Sequence, residues 1–233
     1  MKITMQRLAT NTPLDKLLNG GIESDVITNV YGPAGSGKTN IGVCTTLSCI
    51  NKGKDVIYVD TEGSFSLERF NQLGGSEILI KKVILLEPSC WKEQHETITN
   101  MEKAIGKKDV GLIIVDSLVS LYRLELSQEN FQSINKQLAT QYSVLSRIAR
   151  KRKVPVLVTN QVYSYKIGED EKIELTSRAI AKYWSKTLVE LKRIGTNSRA
   201  AIVRKHRSVP ENKTIEFEIM EDKLKEVGKL SIF

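Results

Sequence analysis

At 233 residues, with 40% hydrophobic and 27% charged side chains, the chain is long enough for one sizeable α/β domain with a substantial core. No apolar run approaches the ~20 residues of a membrane-crossing helix and no apolar signal core opens the chain, so a cytoplasmic protein with no membrane partner is expected. The formal net charge of +8 is lopsided: residues 1–116 carry 13 Lys/Arg against 14 Asp/Glu, and residues 117–233 carry 22 against 13. Such asymmetry fits a polyanionic partner or, equally, a lysine-rich surface without a special role.

Leu14, Leu17 and Leu18 recur at helical spacing behind Thr12-Pro13, and Gly20-Gly21 closes that short helix. The run 26–30 reads as a strand. It feeds Gly32-Pro33-Ala34-Gly35-Ser36-Gly37-Lys38-Thr39, which satisfies G-x-x-x-x-G-K-[ST] and opens a helix predicted over 38–51. Glycine at fixed offsets lets backbone N–H groups curve around phosphate oxygens, and the helix aims its partial positive end at the same anion. Lys38 then reaches the β- and γ-phosphates of ATP, and the Thr39 hydroxyl falls on Mg²⁺. Further buried strands are predicted at 56–59, 83–86, 112–115 and 154–158, separated by helical stretches that include 91–105 and 128–150. Beyond Gly168 the texture changes. The runs 187–193, 199–203 and 214–219 read as antiparallel strands joined by turns at Gly195-Thr196-Asn197 and Pro210-Glu211-Asn212. Strands alternating with helices mean a mainly parallel α/β sheet covered on both faces, and no linker divides the expected single domain, 1–233.

In such sheets ligands gather at the carboxyl ends of the strands, and three of these ends carry chemistry. The first ends in Asp60-Thr61-Glu62-Gly63, the second in Asp116-Ser117, the third in Thr159-Asn160-Gln161. Asp116, after four apolar residues, is placed to hold Mg²⁺ through water. Glu62 can orient an attacking water or take its proton, and the Gln161 amide can sense the γ-phosphate. Cys44, Cys49 and Cys90 lack metal spacing and read as reduced thiols; His95 and His206 have no partner histidines.

This order of parts resembles the RecA-type recombinases over nearly the whole chain, through Leu14-Asp15-Lys16-Leu17-Leu18-Asn19-Gly20-Gly21-Ile22, Tyr58-Val59-Asp60-Thr61-Glu62-Gly63-Ser64-Phe65, Ile114-Val115-Asp116-Ser117 and Val158-Thr159-Asn160-Gln161-Val162. The blocks are most similar to archaeal RadA. No N-terminal helical domain and no Phe-x-x-Ala segment precede the core, which points to the archaeal paralogues of RadA that lack both. The resemblance implies a RecA-type P-loop ATPase core with antiparallel C-terminal strands, the catalytic glutamate at Glu62 and the nucleotide-sensing glutamine at Gln161. It also implies an arginine at Arg69 that stacks on adenine, against which a plain surface arginine is the alternative. The implied activity is that of a recombination and repair accessory: very weak ATP hydrolysis, DNA binding without strand exchange, a RadA-type recombinase as partner and a possible homo-oligomer. Clock-protein-like regulatory ATPases of the same fold act on protein partners, but they carry paired glutamates where this chain has Thr61-Glu62.

The family places single-stranded or branched DNA on loops after the Asp116 and Gln161 strands, here about 121–130 and 163–178. The candidates are Tyr122, Arg123, Tyr163, Tyr165, Lys166, Lys172 and Arg178, since aromatics beside cations suit base stacking and phosphate contact. Arg147, Arg150, Lys151, Arg152 and Lys153 form the densest basic cluster, either a solvated helix end or a second DNA or partner surface. Finally, Lys205-His206-Arg207 resembles the K-x-R pairs of related ring ATPases, in which both cations reach a neighbouring subunit's γ-phosphate. Strand alternation puts Lys205 and Arg207 on one face. A solvated turn or a DNA contact is the alternative.

Overall fold

The computed structural model describes residues 6–167, 170–175, 178–227 and 231–232, with the backbone alone given within 163–178 and at 231–232. The first half runs β1 (Arg7–Leu8), α1 (Leu14–Leu17), β2 (Ile22–Glu23), β3 (Ile27–Gly32), α2 (Lys38–Ile50), β4 (Asp55–Asp60), α3 (Leu67–Gln72), α4 (Glu77–Ile80) and β5 (Val83–Leu86). It continues through α5 (Trp91–Thr99), α6 (Met101–Ile105), β6 (Val110–Asp116), α7 (Ser120–Glu125), α8 (Phe131–Arg152), β7 (Val156–Ile167) and β8 (Asp170–Leu175). The rest is α9 (Arg178–Trp184), β9 (Thr187–Arg193), β10 (Ser198–Lys205), β11 (Lys213–Ile219), β12 (Leu224–Glu226) and β13 (Ser231–Ile232).

The main sheet has the order β12-β11-β10-β9-β3-β7-β6-β4-β5. From β9 to β5 every neighbour is parallel, and from β9 to β12 every neighbour is antiparallel. The 187–193 run, expected to be purely antiparallel, thus has two roles. It pairs parallel with β3 and antiparallel with β10, because a crossover through α9 returns the chain to the start of β3. Register then does the positioning. Gly32 lies beside Gln161, and Asp60 beside Asp116, so the phosphate loop and all three polar strand ends share one pole of the sheet.

Two apolar layers flank the sheet. On one face α2 packs with α1 and the C-terminal strands around Leu17, Ile41, Leu47, Tyr58 and Phe217. α2 is buried nearly all round, from Ile41 to Ile50, as expected of a helix covered on both sides. On the other face α8 lays Ile134, Leu138, Tyr142, Leu145 and Ile148 on the sheet, spaced three or four apart as a 3.6-residue period requires. The stretch expected as one helix over 91–105 breaks at Asn100, whose amide and side chain both return to Glu96 O. Among the described residues no helix is long and apolar enough to cross a membrane.

Candidate functional site

The phosphate loop joins β3 to α2, and its backbone demands its glycines. A Cβ at Gly32 would stand 2.5 Å from Leu191 O, and Gly37, at φ 96, occupies the left-handed region at the cap of α2. From the C-terminal strands, the buried Arg199 donates Nε–H to Gly35 O at 3.0 Å and ties the loop's crown to the turn before β10. Nothing in the sequence marks that arginine, because its role depends on which strand lies beside the loop.

Lys38 is 8% exposed and folds back into the loop, donating to Gly32 O at 3.0 Å and Pro33 O at 2.9 Å. Burial lowers its pKa from the ordinary lysine value, opposed by the nearby carboxylates of Glu62 and Asp116. Ser36 Oγ is buried without a hydrogen-bond partner among the described residues. Thr39 Oγ1 lies 3.4 Å from Ser64 Oγ, which in turn lies 3.4 Å from Asp116 Oδ2. Asp116 is buried and accepts from Tyr58 at 2.9 Å and from Thr159. Burial, then the Asp116 charge, pushes the Tyr58 hydroxyl well above the usual tyrosine range, so it stays a donor. Asp60 takes a supporting part, accepting from the Glu62 amide at 3.1 Å and the Phe65 amide at 2.8 Å. It pins the turn that carries Glu62.

Glu62 receives Ser117 Oγ at 2.6 Å, and both of its oxygens receive Gln161 Nε2 at 3.0 Å. Gln161 Oε1 accepts from Arg123 Nη1 at 3.3 Å. One chain of contacts therefore runs from Arg123 through Gln161 to Glu62 and Ser117.

Other expected residues fall less simply. Arg69 donates to Asn40 Oδ1 at 2.6 Å, Gln72 Oε1 at 3.0 Å, Met220 O at 2.9 Å and Glu221 O, bridging α3 to α2 and the turn after β11. Tyr122, expected beside DNA, is 3% exposed: it sits on the inner face of α7, against Trp91, with its hydroxyl on Asn135 Oδ1 at 3.0 Å. That ring has no face for a base. The second expected loop is instead a β-ribbon, β7 paired with β8 from Val162–Leu175 to Ile167–Asp170. Strand-favouring residues on both segments account for it, Val162, Tyr163, Tyr165 and Ile167 on one and Ile173 and Leu175 on the other, with Leu175 opposite Val162 and Ile173 opposite Ser164. The side chains of Tyr163, Tyr165, Lys166, Lys172 and Arg178 lie outside the described residues.

Lys205 and Arg207 do not converge. β10 ends at Lys205 after an irregularity at Val203, so Arg207 lies past the strand and alternation no longer links the two. Lys205 Nζ caps α9 through Lys182 O at 2.6 Å and Ser185 O at 2.8 Å. Arg207 pairs with Glu23 at 3.0 Å and Asp25 at 2.8 Å. Its guanidinium holds the Asp25 carboxyl below the usual carboxylate range.

The chain matches the family model described as Rad51 over residues 2–227. It is 42% identical to the "DNA repair and recombination protein RadB" of Methanococcus maripaludis, over 93% of this chain and 99% of that protein. The protein of the same name from Methanococcoides burtonii is 41% identical over 94% of this chain and 97% of its own length. A crystal structure of the RadB recombinase aligns with a TM-score of 0.79 at 35% identity, covering 95% of this chain and all of that one.

Proposed function

The chain belongs to the Rad51 family, on its RadB branch, and from that premise we propose that it is an ATP- and DNA-binding accessory protein of homologous recombination and repair. Its hydrolysis is weak and Mg²⁺-dependent, and it promotes little or no strand exchange. The observation that carries this reading is the chain of contacts Arg123–Gln161–Glu62 beside the phosphate loop. It joins the residue fitted to activate water to a cation on α7, where the family meets DNA.

The residues present fit a bound nucleotide. The loop leaves no room for a Cβ at Gly32, Ser36 Oγ is an orphan, and Lys38 is a desolvated cation satisfied by backbone carbonyls. Residues 32–39 would hold the phosphates, and Thr39 with Asp116, the latter through water, would hold Mg²⁺. When bound, Mg²⁺ neutralises charge developing on the transferred phosphoryl oxygens. Lys38 would turn from the Gly32 and Pro33 carbonyls to the phosphates, and Glu62 would orient water or take its proton. Gln161, already on both Glu62 oxygens, would report nucleotide occupancy to Arg123. The in-plane donors of Arg69 are engaged at its edge, which leaves stacking on adenine to its face. A RadA-type recombinase is the expected protein partner.

ATP turnover with and without DNA, together with retention of single-stranded, duplex and branched DNA with and without ATP, tests the proposal. Expected are slow turnover insensitive to DNA and salt-sensitive DNA retention. Indifference to every DNA form at low salt would overturn it in favour of a regulatory ATPase acting on proteins.

A further inference from the structure

At the opposite pole of the sheet, where the parallel strands begin, a groove of about 400 Å³ opens between β1, the loop before β4, the start of β6 and the end of α8. Arg7, Lys52, Lys54, Arg152 and Lys153 line it, against one carboxylate, Asp109. A seven-residue strand such as β6 separates this groove from the nucleotide residues by about 20 Å.

Part of this charge is already used. Lys54 pairs with Asp109 at 2.7 Å, and next to the groove Glu102 engages Lys151 at 2.6 Å and Arg147 at 3.5 Å. Arg7 is likewise engaged, with Glu23 at 3.6 Å and Asn19 O at 3.0 Å, whereas Lys52 and Lys153 have no carboxylate within ion-pair distance among the described residues. Lys153 adds a second kind of observation. It ends α8 at φ 55, ψ 39, the left-handed cap position that glycine fills without strain. A lysine held there at a conformational cost signals a use for its side chain.

We propose that this groove docks the phosphate backbone of duplex nucleic acid, as a site separate from the nucleotide pole. The inference rests on reading the chain as a DNA-binding protein. The lining offers cations with aliphatic and small neighbours, Leu8, Gly111, Val154 and Pro155, and no aromatic ring. Unpaired bases bind largely by stacking on such rings, whereas a duplex keeps its base faces stacked inside and presents its phosphates outermost.

The test compares the full chain with Lys153→Gly and with the triple variant Lys52→Gln/Arg152→Gln/Lys153→Gly. Fluorescent duplex and single-stranded probes of equal length are titrated across salt, with ATP retention and thermal unfolding measured alongside. Lys153→Gly should unfold at an equal or higher temperature yet bind duplex less tightly, a split that a purely structural helix cap does not produce. The triple variant should bind duplex about tenfold or more weakly, its salt slope flattening by about 0.9 for each phosphate no longer neutralised, with ATP retention unchanged. Unaltered duplex affinity and slope would overturn the proposal. So would a full chain that retains single strands but not duplex, which leaves the recombination reading standing; retention of neither removes both. Tight stoichiometric binding of tripolyphosphate that the triple variant abolishes would assign the groove to a small oligophosphate instead.

Discussion

Glu62 is held before any substrate arrives, by Ser117 on one oxygen and Gln161 on both. Such a carboxylate has a fixed direction, which is what a residue that aims water requires. Glu62→Gln preserves the shape and removes the proton acceptor. ATP should stay bound while single-turnover hydrolysis falls by about a hundredfold or more; unchanged turnover would remove Glu62 from the base role. Lys38→Ala tests the other half of the site. The apo protein should melt at nearly the wild-type temperature, since a desolvated ammonium is removed, whereas the rise in melting temperature with ATP should vanish. Thiol chemistry reads the same packing. Burial pushes Cys44 up to about 11 and Cys49 to about 12, while Cys90 is exposed, so a thiol reagent near neutral pH should label Cys90 alone until the chain unfolds. At this scale the sequence marks residues whose place is fixed by local spacing: the phosphate loop, Asp116, and Glu62 after its strand. It does not mark Arg199, nor the contacts of Tyr58 and Thr159 with Asp116, which arise from neighbouring strands and long sequence separations.

Elements read from a strong local period were legible, and those set by pairing were not. Buried runs announce β3, β4 and β6, and the stripe on α8 announces that helix. The ribbon of β7 and β8 carries alternation diluted by charge, and it reads as a loop until the two strands are paired. The Lys205–Arg207 segment is the instructive case, because its strand ends at Lys205, two residues short of Arg207. Arg207 instead serves Glu23, a carboxylate with 1% of its side chain exposed, which Arg7 also approaches at 3.6 Å. Removing one partner of a buried carboxylate is costly, but Arg207 is about a third exposed and Arg7 remains. Arg207→Ala should therefore lower stability by about 1–2 kcal/mol, read as a shifted urea midpoint with an unchanged slope. A cation acting on a neighbour's phosphate would have to leave Glu23 and Asp25. That role requires turnover that rises with protein concentration and partial recovery when Arg207→Ala is mixed with Lys38→Ala; flat turnover without recovery leaves Arg207 as a structural pair.

Over the whole molecule, charge and titration follow the poles and layers of the sheet more than the order of the chain. The sequence places the basic excess in the second half, yet Lys52 and Lys54 from the first half meet Arg152 and Lys153 in one groove, an adjacency that only the fold creates. The core has its own signature. Cys44 and Cys49 on α2, Tyr58 on β4 and Tyr142 on α8 are buried acids whose pKa values burial raises, from 9.0 for the thiols and 10.0 for the phenols. A pKa raised on folding contributes stability that is fully present below the unfolded value and lost as pH climbs toward the folded one. For Cys44 and Cys49 that loss begins near 9.0 and runs to about 11 and about 12, and the phenols join it above 10.0. Tyr122, also raised by burial, adds to these four, while Lys38, Lys205 and Lys213, shifted down from 10.5 by burial, act in the opposite sense. Each of the four can release a proton on unfolding, a slope of up to about 1.4 kcal/mol per pH unit per group. Urea midpoints should thus hold from neutral pH to about 9 and then fall steeply. Cys44→Ala/Cys49→Ala should start lower, from poorer packing, and fall less steeply, because only the phenols then remain to ionise. A wild-type midpoint that stays level two units above 9.0 would show that these groups are hydrated in the folded chain, and would contradict the dry layer that α2 forms against the sheet.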